Sequence, residues 1–217
     1  MYLTRMRLDP TKRNTMRAFA EPKLFHGAIE RSFSEERHRN LWRIDALNGA
    51  QYLMIVSEEK PDLIAATEQF GYPEASSPWE TRDYTPLLNR IQPGTRWHFR
   101  LTANPTKHAP GNASAGQRGK VMPHITAEHQ QRWLMEKAPQ HGFSLTEGEF
   151  LAVQEQWYQF RKYQDCSRPV SLLSVTFEGM LTVTNADLFR RVLVEGIGRG
   201  KAYGMGLLTV VRVVDAL

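Results

Sequence analysis

Close to its C-terminal end the chain crowds five glycines into eleven residues, Gly196-Ile197-Gly198-Arg199-Gly200-Lys201-Ala202-Tyr203-Gly204-Met205-Gly206, and a largely β-branched run from Leu207 to Val214 follows at once. An amphipathic segment, Ala186 to Val194, leads in. That order limits the fold. In P-loop and dinucleotide-binding folds a strand enters the glycines and a helix leaves them, whereas here the sequence runs the other way. Glu195 also stands where a P-loop needs its first glycine, and Ala202 follows Lys201 where a magnesium-binding hydroxyl belongs. A nucleotide cofactor is therefore not expected. Backbone without Cβ atoms can lie against a bulky polyanion, with Arg199 and Lys201 supplying the opposing charge. The other reading is a plain turn before a last strand.

Hydrophobic periodicity places strands at Tyr2–Leu8, Leu41–Asp45 and Gln51–Val56 and helices at Pro22–Phe33 and Pro61–Phe70. Asn48-Gly49 marks a tight turn between the second and third strands, and Pro61 opens the second helix. A Pro-rich passage, Tyr72 to Pro93, follows. The pattern then recurs: strand Arg96–Ala103, helix Thr126–Lys137, strand-rich Phe143–Tyr163, strand Leu172–Thr184, helix Ala186–Val194 and strand Leu207–Val214. The expected class is α+β, two tandem ferredoxin-like (RRM-like) βαββαβ domains over residues 1–93 and 94–217. No sequence repeat links the halves, so the expected duplication is one of topology.

Charge is unevenly spread. Residues 1–43 carry ten Lys/Arg against five Asp/Glu, residues 44–95 three against eight, and residues 96–132 six against one. Two basic blocks around an acidic one favour a polyanionic partner over a merely basic surface. Lys107, Arg118 and Lys120 sit in a Pro- and Gly-rich stretch, Asn104 to Pro123, that reads as a mobile basic loop. Trp157, Tyr158, Phe160 and Tyr163 interleave with Arg161 and Lys162, a pattern suited to base stacking and groove contact or, for the aromatics, to packing in a sheet. The single cysteine, Cys166, rules out an internal disulfide. The N-terminus lacks the apolar run of a signal peptide, and no stretch approaches the roughly 18 apolar residues of a membrane span, so a cytoplasmic protein without membrane contact is expected.

In the helix at Pro22–Phe33, Leu24, Phe25, Ala28, Ile29 and Phe33 make the core stripe, which leaves Lys23, His26 and Glu30 as neighbours on a polar face. A histidine beside a lysine and a carboxylate can move protons near neutral pH, and Arg31 lies close enough to hold a phosphate beside it. His124 and His129 miss the spacing of a helical zinc pair, no His-Glu-x-x-His is present, and no metal site is indicated.

Met1-Tyr2-Leu3-Thr4, His26, Phe99-Arg100-Leu101-Thr102-Ala103-Asn104-Pro105-Thr106-Lys107, Phe177-Glu178-Gly179-Met180-Leu181-Thr182-Val183 and the segment Gly196 to Leu208 together resemble the CasE (Cse3) family, the CRISPR-repeat endoribonucleases of the subtype I-E Cascade complex. The resemblance runs nearly end to end. It implies binding of the repeat hairpin in precursor CRISPR RNA and one cut at the hairpin's 3′ base. It further implies metal-free attack by the RNA's own 2′-hydroxyl, leaving a 2′,3′-cyclic phosphate and a 5′-hydroxyl, with the product retained beside other Cascade subunits. By the same resemblance His26 is the catalytic histidine, as general acid or base. Many relatives have a tyrosine where this chain has Lys23 and a basic residue where it has Arg31. Lys23 would offset transition-state charge or act as a base, or else the departure marks a slow or inactive RNA-holding subunit. The Gly196–Gly206 loop, with Gly198, Gly200 and Gly204, should lie along the RNA backbone near the cut, where Arg199 and Lys201 meet phosphates. Arg161 and Lys162 should meet the stem, with Lys107, Arg118 and Lys120 as further contacts.

Overall fold

The computed structural model describes residues 1–34, 40–108, 121–162 and 165–213, with the backbone alone for 161, 162 and 165–170. Its first sheet is built from β1 (Tyr2–Leu8), β2 (Leu41–Leu47), β3 (Ala50–Ser57) and β4 (Trp79–Asp83), all antiparallel in the order β2-β3-β1-β4. Along β1, Thr4, Met6 and Leu8 are buried while Arg5 and Arg7 between them are exposed, the period-two pattern read from the sequence. Leu47 pairs Ala50 across Asn48 and Gly49, both at positive φ (50° and 75°), which gives the expected two-residue hairpin turn. The helices α1 (Arg13–Ala20), α2 (Lys23–Glu30) and α3 (Ile64–Phe70) cover one face. Phe25, Ile29, Trp42, Ile55 and Phe70 close the core there.

The second sheet takes β5 (Arg96–Ala103), β8 (Phe143–Ser144), β9 (Phe150–Lys162), β10 (Asp165–Val183) and β11 (Leu208–Arg212) in the order β11-β5-β10-β8, with β9 also paired to β10. α5 (Ala127–Lys137) and α6 (Ala186–Glu195) pack on it, Trp133, Leu134, Phe189 and Leu193 joining Leu101, Val175 and Phe177 in one core. Each half thus has the ferredoxin-like strand order, and the chain is two such folds in tandem. The short pair β6 (Thr106–His108) and β7 (Val121–Pro123) brackets the stretch that contains Arg118 and Lys120, which lie outside the described residues.

Five elements are absent from the sequence reading: α1, the edge strand β4, α4 (Thr85–Asn89), and the short strands β6 and β7, which lie in the stretch read as a loop. α1 is only 8 residues long, polar on average and buries just Thr15 and Ala18, so it is too short for periodicity to mark it in the sequence. β4, at the sheet's edge, is half-buried to exposed throughout, so its residues carry no alternation. The first helix of the sequence reading is also shorter than expected, ending at Glu30 with Arg31 as its C-cap.

The second face of the first sheet is covered too. Leu41 and Val56, with Leu3 and Met54, belong to the same apolar cluster as the core of the second sheet. On that face Arg43 lies buried, 2% exposed, and grips Asp45 bidentately at 2.6 and 2.7 Å. Its remaining donors reach the Arg100 carbonyl at 2.8 Å, the Leu207 carbonyl at 2.9 Å and the Thr209 hydroxyl at 2.8 Å. One side chain of β2 therefore satisfies backbone acceptors of β5 and of the turn into β11. That bond set ties the end of the glycine loop to the sheet carrying α2.

Candidate active site

α2 begins straight after Pro22, which has the helical φ that proline favours, and buries Phe25, Ala28 and Ile29. This burial turns Lys23, His26 and Glu30 outward. His26 is 36% exposed, and its Nδ1 lies 3.9 Å from Glu30 Oε1. Arg31 folds back along the helix, its Nη1 3.6 Å from where a Cβ on Gly27 would stand. Lys23 Nζ is 3.3 Å from Glu21 Oε2 and 6.0 Å from the Phe160 ring centroid. The ammonium is thus held between a carboxylate and an aromatic face.

The glycine loop arrives from the other side. Its 3-10 turn, Lys201–Tyr203, packs on both α2 and β2, and the Tyr203 and Phe160 rings stand 5.0 Å apart. Gly204 is why this approach is possible. Its φ is 78°, and a Cβ there would come within 2.7 Å of the Trp42 ring. Gly196, with φ 74°, likewise leaves 2.7 Å between a Cβ and the Gly206 carbonyl. The loop closes on itself through Ile197 N–H to the Gly206 carbonyl at 2.9 Å, and Gly206 N–H bonds the Thr102 carbonyl at 2.6 Å. Gly196, Gly204 and Gly206 are buried against protein, while Gly198 and Arg199 form the exposed crest and Gly200 is half-buried. Arg199 pairs by backbone bridge with Asn104, so two motifs distant in sequence form one surface.

The cations have different duties. Lys201 Nζ donates to the Glu195 carbonyl at 2.6 Å, capping the negative end of α6. Burial, then the ammoniums of Lys137 and Lys201, hold the His141 imidazole below its ordinary value. Lys107 is exposed on β6; burial first, and then its ammonium, hold the His124 imidazole below its ordinary value, so Lys107 belongs to the neighbourhood of α5 rather than of α2. Arg161 and Lys162 end β9 one step beyond Phe160, whose ring meets that of Tyr203 at a tilt; their side chains are outside the described residues. Thus the structure brings Lys23, His26, Arg31 and the glycine loop together, with the end of β9 alongside.

A cleft of about 260 Å³ opens beside the start of α2, between the two sheets. Trp42, Arg100, Thr102, Gln156, Tyr158 and Tyr203 are among its walls. Arg100 spans Asp45, at 3.3 Å, and Glu178, at 3.0 Å. Sequence reading did not single out Arg100, Thr102 or Gln156. Arg100 and Thr102 alternate with core residues on β5, Gln156 lies on an exposed stretch of β9, and only the apposition of a second sheet turns these residues into a wall.

Comparison with known proteins agrees with this architecture. The profile of a family described as "CRISPR associated protein" matches residues 1–212. The CRISPR-associated endoribonuclease Cse3 of Thermus thermophilus is 31% identical over 223 residues, covering 97% of this chain and 99% of that protein. The structure of Thermus thermophilus Cse3 bound to an RNA representing a pre-cleavage complex superposes with a TM-score of 0.78 at 28% identity, over 97% of this chain and 98% of that one. Cas6e of Escherichia coli K-12 shares the fold, with a TM-score of 0.60 at 19% identity over 98% of this chain and all (100%) of that one. On a profile match from the first residue to within β11 and on near-complete alignment with Cse3, this protein belongs to the CRISPR-associated protein family.

Proposed function

We propose that the protein is a metal-independent endoribonuclease that binds the hairpin of a CRISPR repeat RNA, cuts the precursor once, and keeps its product as a Cascade subunit in the cytoplasm. The observation that carries the reading is His26, part-exposed on α2 where the glycine loop and the end of β9 converge, in a chain aligned over nearly its whole length with Cse3. Residues 1–93 would carry the catalytic helix, and residues 94–217 the basic hairpin and glycine loop.

In this reaction the bond that forms joins the RNA 2′-oxygen to the adjacent phosphorus, and the bond that breaks joins that phosphorus to the 5′-oxygen. One proton leaves the 2′-hydroxyl and one reaches the departing 5′-oxygen; the products are a 2′,3′-cyclic phosphate and a 5′-hydroxyl. The nucleophile belongs to the RNA, so the protein aligns it, moves a proton and offsets charge. His26 moves the proton. The Lys23 ammonium, already held by Glu21 and Phe160, and the Arg31 guanidinium offset the charge that grows on the phosphoryl oxygens. Arg199 on the exposed crest of the loop holds a neighbouring phosphate, and Arg161, Lys162 and Lys107 follow the stem, with Arg118 and Lys120 beyond.

A second reading, an RNA-holding subunit that does not cut, is favoured by one feature: the tyrosine of many relatives is replaced by Lys23, whose ammonium is already paired with Glu21. Substituting His26 separates the readings. His26→Ala should lower single-turnover cleavage about 10²–10⁴-fold, the usual worth of a positioned acid or base, with hairpin affinity kept within about threefold. A wild-type protein that binds the hairpin tightly and leaves it whole would establish the second reading.

A further inference from the structure

If His26 exchanges a proton with the RNA, as proposed above, something must fix which ring nitrogen faces the substrate. His26 and Glu30 stand one helical turn apart, and helical side chains lean toward the N-terminus over the preceding turn. The Glu30 carboxylate accordingly reaches back to His26, with 3.9 Å between Oε1 and Nδ1. Nδ1 is itself shut off from solvent and has no hydrogen-bond partner among the described residues. Yet the two side chains as wholes are 36% and 37% exposed. The ring therefore offers one nitrogen to solvent and turns the other, unsatisfied, toward a carboxylate. Arg31 leans back the same way over Gly27, and Lys23 is paired with Glu21, so neither cation competes with Nδ1 for Glu30 among the described residues.

We propose that Glu30 is the positioning residue of His26: its carboxylate accepts the Nδ1 proton, which selects the tautomer and ring orientation that present Nε2 to the RNA. Closing the 3.9 Å separation to a hydrogen bond falls to the Glu30 side chain, which is 37% exposed and one helical turn from His26. Glu30 touches none of the reacting atoms; it acts through the imidazole. The inference rests on the catalytic reading of His26 and adds to it the identity of the nitrogen that works.

The test uses the full chain, with ring-¹⁵N-labelled histidine, as wild type, Glu30→Ala, Glu30→Gln and His26→Ala. In alkaline buffer without RNA, the His26 signals of the wild type should be those of the Nδ1–H form. Glu30→Ala should move them toward the Nε2–H form common in free histidine, and Glu30→Gln should keep them, because an amide oxygen still accepts the bond. Single-turnover cleavage at saturating repeat hairpin should fall about tenfold in Glu30→Ala, the worth of one charge-assisted hydrogen bond, and stay within about threefold in Glu30→Gln, with affinity unchanged in both. A Glu30→Ala protein with the wild-type ring spectrum, or one that cuts at the wild-type rate while His26→Ala is inactive, would overturn the role of Glu30 alone. Wild-type cleavage by His26→Ala would instead overturn the catalytic reading on which it depends.

Discussion

Lys23, which the family resemblance sets at a position of tyrosine, has surroundings that define what it can offer. Its ammonium is paired to Glu21 and set over the Phe160 face, so it is suited to act as a fixed positive charge. A fixed charge beside a phosphorane-like transition state lowers the barrier without accepting a proton. Lys23→Gln, which keeps a hydrogen-bond donor on a side chain one atom shorter but not the charge, is expected to slow single-turnover cleavage by about tenfold with little change in the shape of the pH–rate curve. If Lys23 were instead the base, the same substitution would remove a limb of that curve. The shared outward face of Lys23, His26 and Glu30 on α2 was legible in the sequence because three- and four-residue spacings on an amphipathic helix place side chains directly. Their partners were less so. Phe160 and Tyr203 meet Lys23 through tertiary packing, which no spacing along the chain encodes.

The glycine loop shows how an element can serve a site while most of its distinctive residues point elsewhere. Sequence reasoning assigned its glycines to a close approach by RNA backbone. The structure gives Gly204 and Gly196 a role inside the protein, where they let the loop lie against Trp42 and its own second strand of chain. Gly204→Ala combines a strained φ with overlap on a buried indole and should cost about 2–4 kcal/mol, read as a fall in the denaturation midpoint. Arg199→Ala on the exposed crest, where φ is not positive, should leave that midpoint nearly unchanged. Lys201 is bound up in the same packing. His141 beside it is held below its ordinary value, so its neutral form favours the fold; that contribution is fully present above about pH 6.5 and is lost as pH falls toward the folded-state value. Lys201→Met removes one of the two ammoniums and should move the His141 titration upward, as followed by its ring proton signals. Among the elements that sequence reasoning missed, β4 is an edge strand with neither face fully buried, and α1 buries only two residues. Elements with a full apolar face were found; those completed by neighbours were not.

At the scale of the whole molecule, two antiparallel sheets share an apolar cluster, and one buried ion pair fixes their relation. Arg43 was unremarked in the sequence because a charged residue on a strand reads as solvent-facing. Its partner Leu207 lies 164 residues away, and burial at that distance depends on the second sheet covering the face. Asp45→Ala would leave the guanidinium buried and uncompensated, at a cost of about 3–5 kcal/mol in chemical denaturation. It should also slow cleavage, because the same bonds hold the glycine loop near α2. Arg43→Met with Asp45→Leu, which removes both charges, should recover much of the stability but not the loop placement. The topology, by contrast, was readable early: strand and helix segments alternate in the same order in both halves even though the residues do not repeat.

The central claim is that this site cuts RNA with the RNA's own 2′-hydroxyl. Its most direct test is to incubate the protein in EDTA with its cognate repeat hairpin, and with the same hairpin carrying a 2′-deoxy substitution just upstream of the cut, and to identify the product ends. The account predicts one cut in EDTA, ending in a 2′,3′-cyclic phosphate and a 5′-hydroxyl, and no cut in the deoxy substrate. Cleavage of the deoxy hairpin, or cleavage that EDTA abolishes, would contradict it.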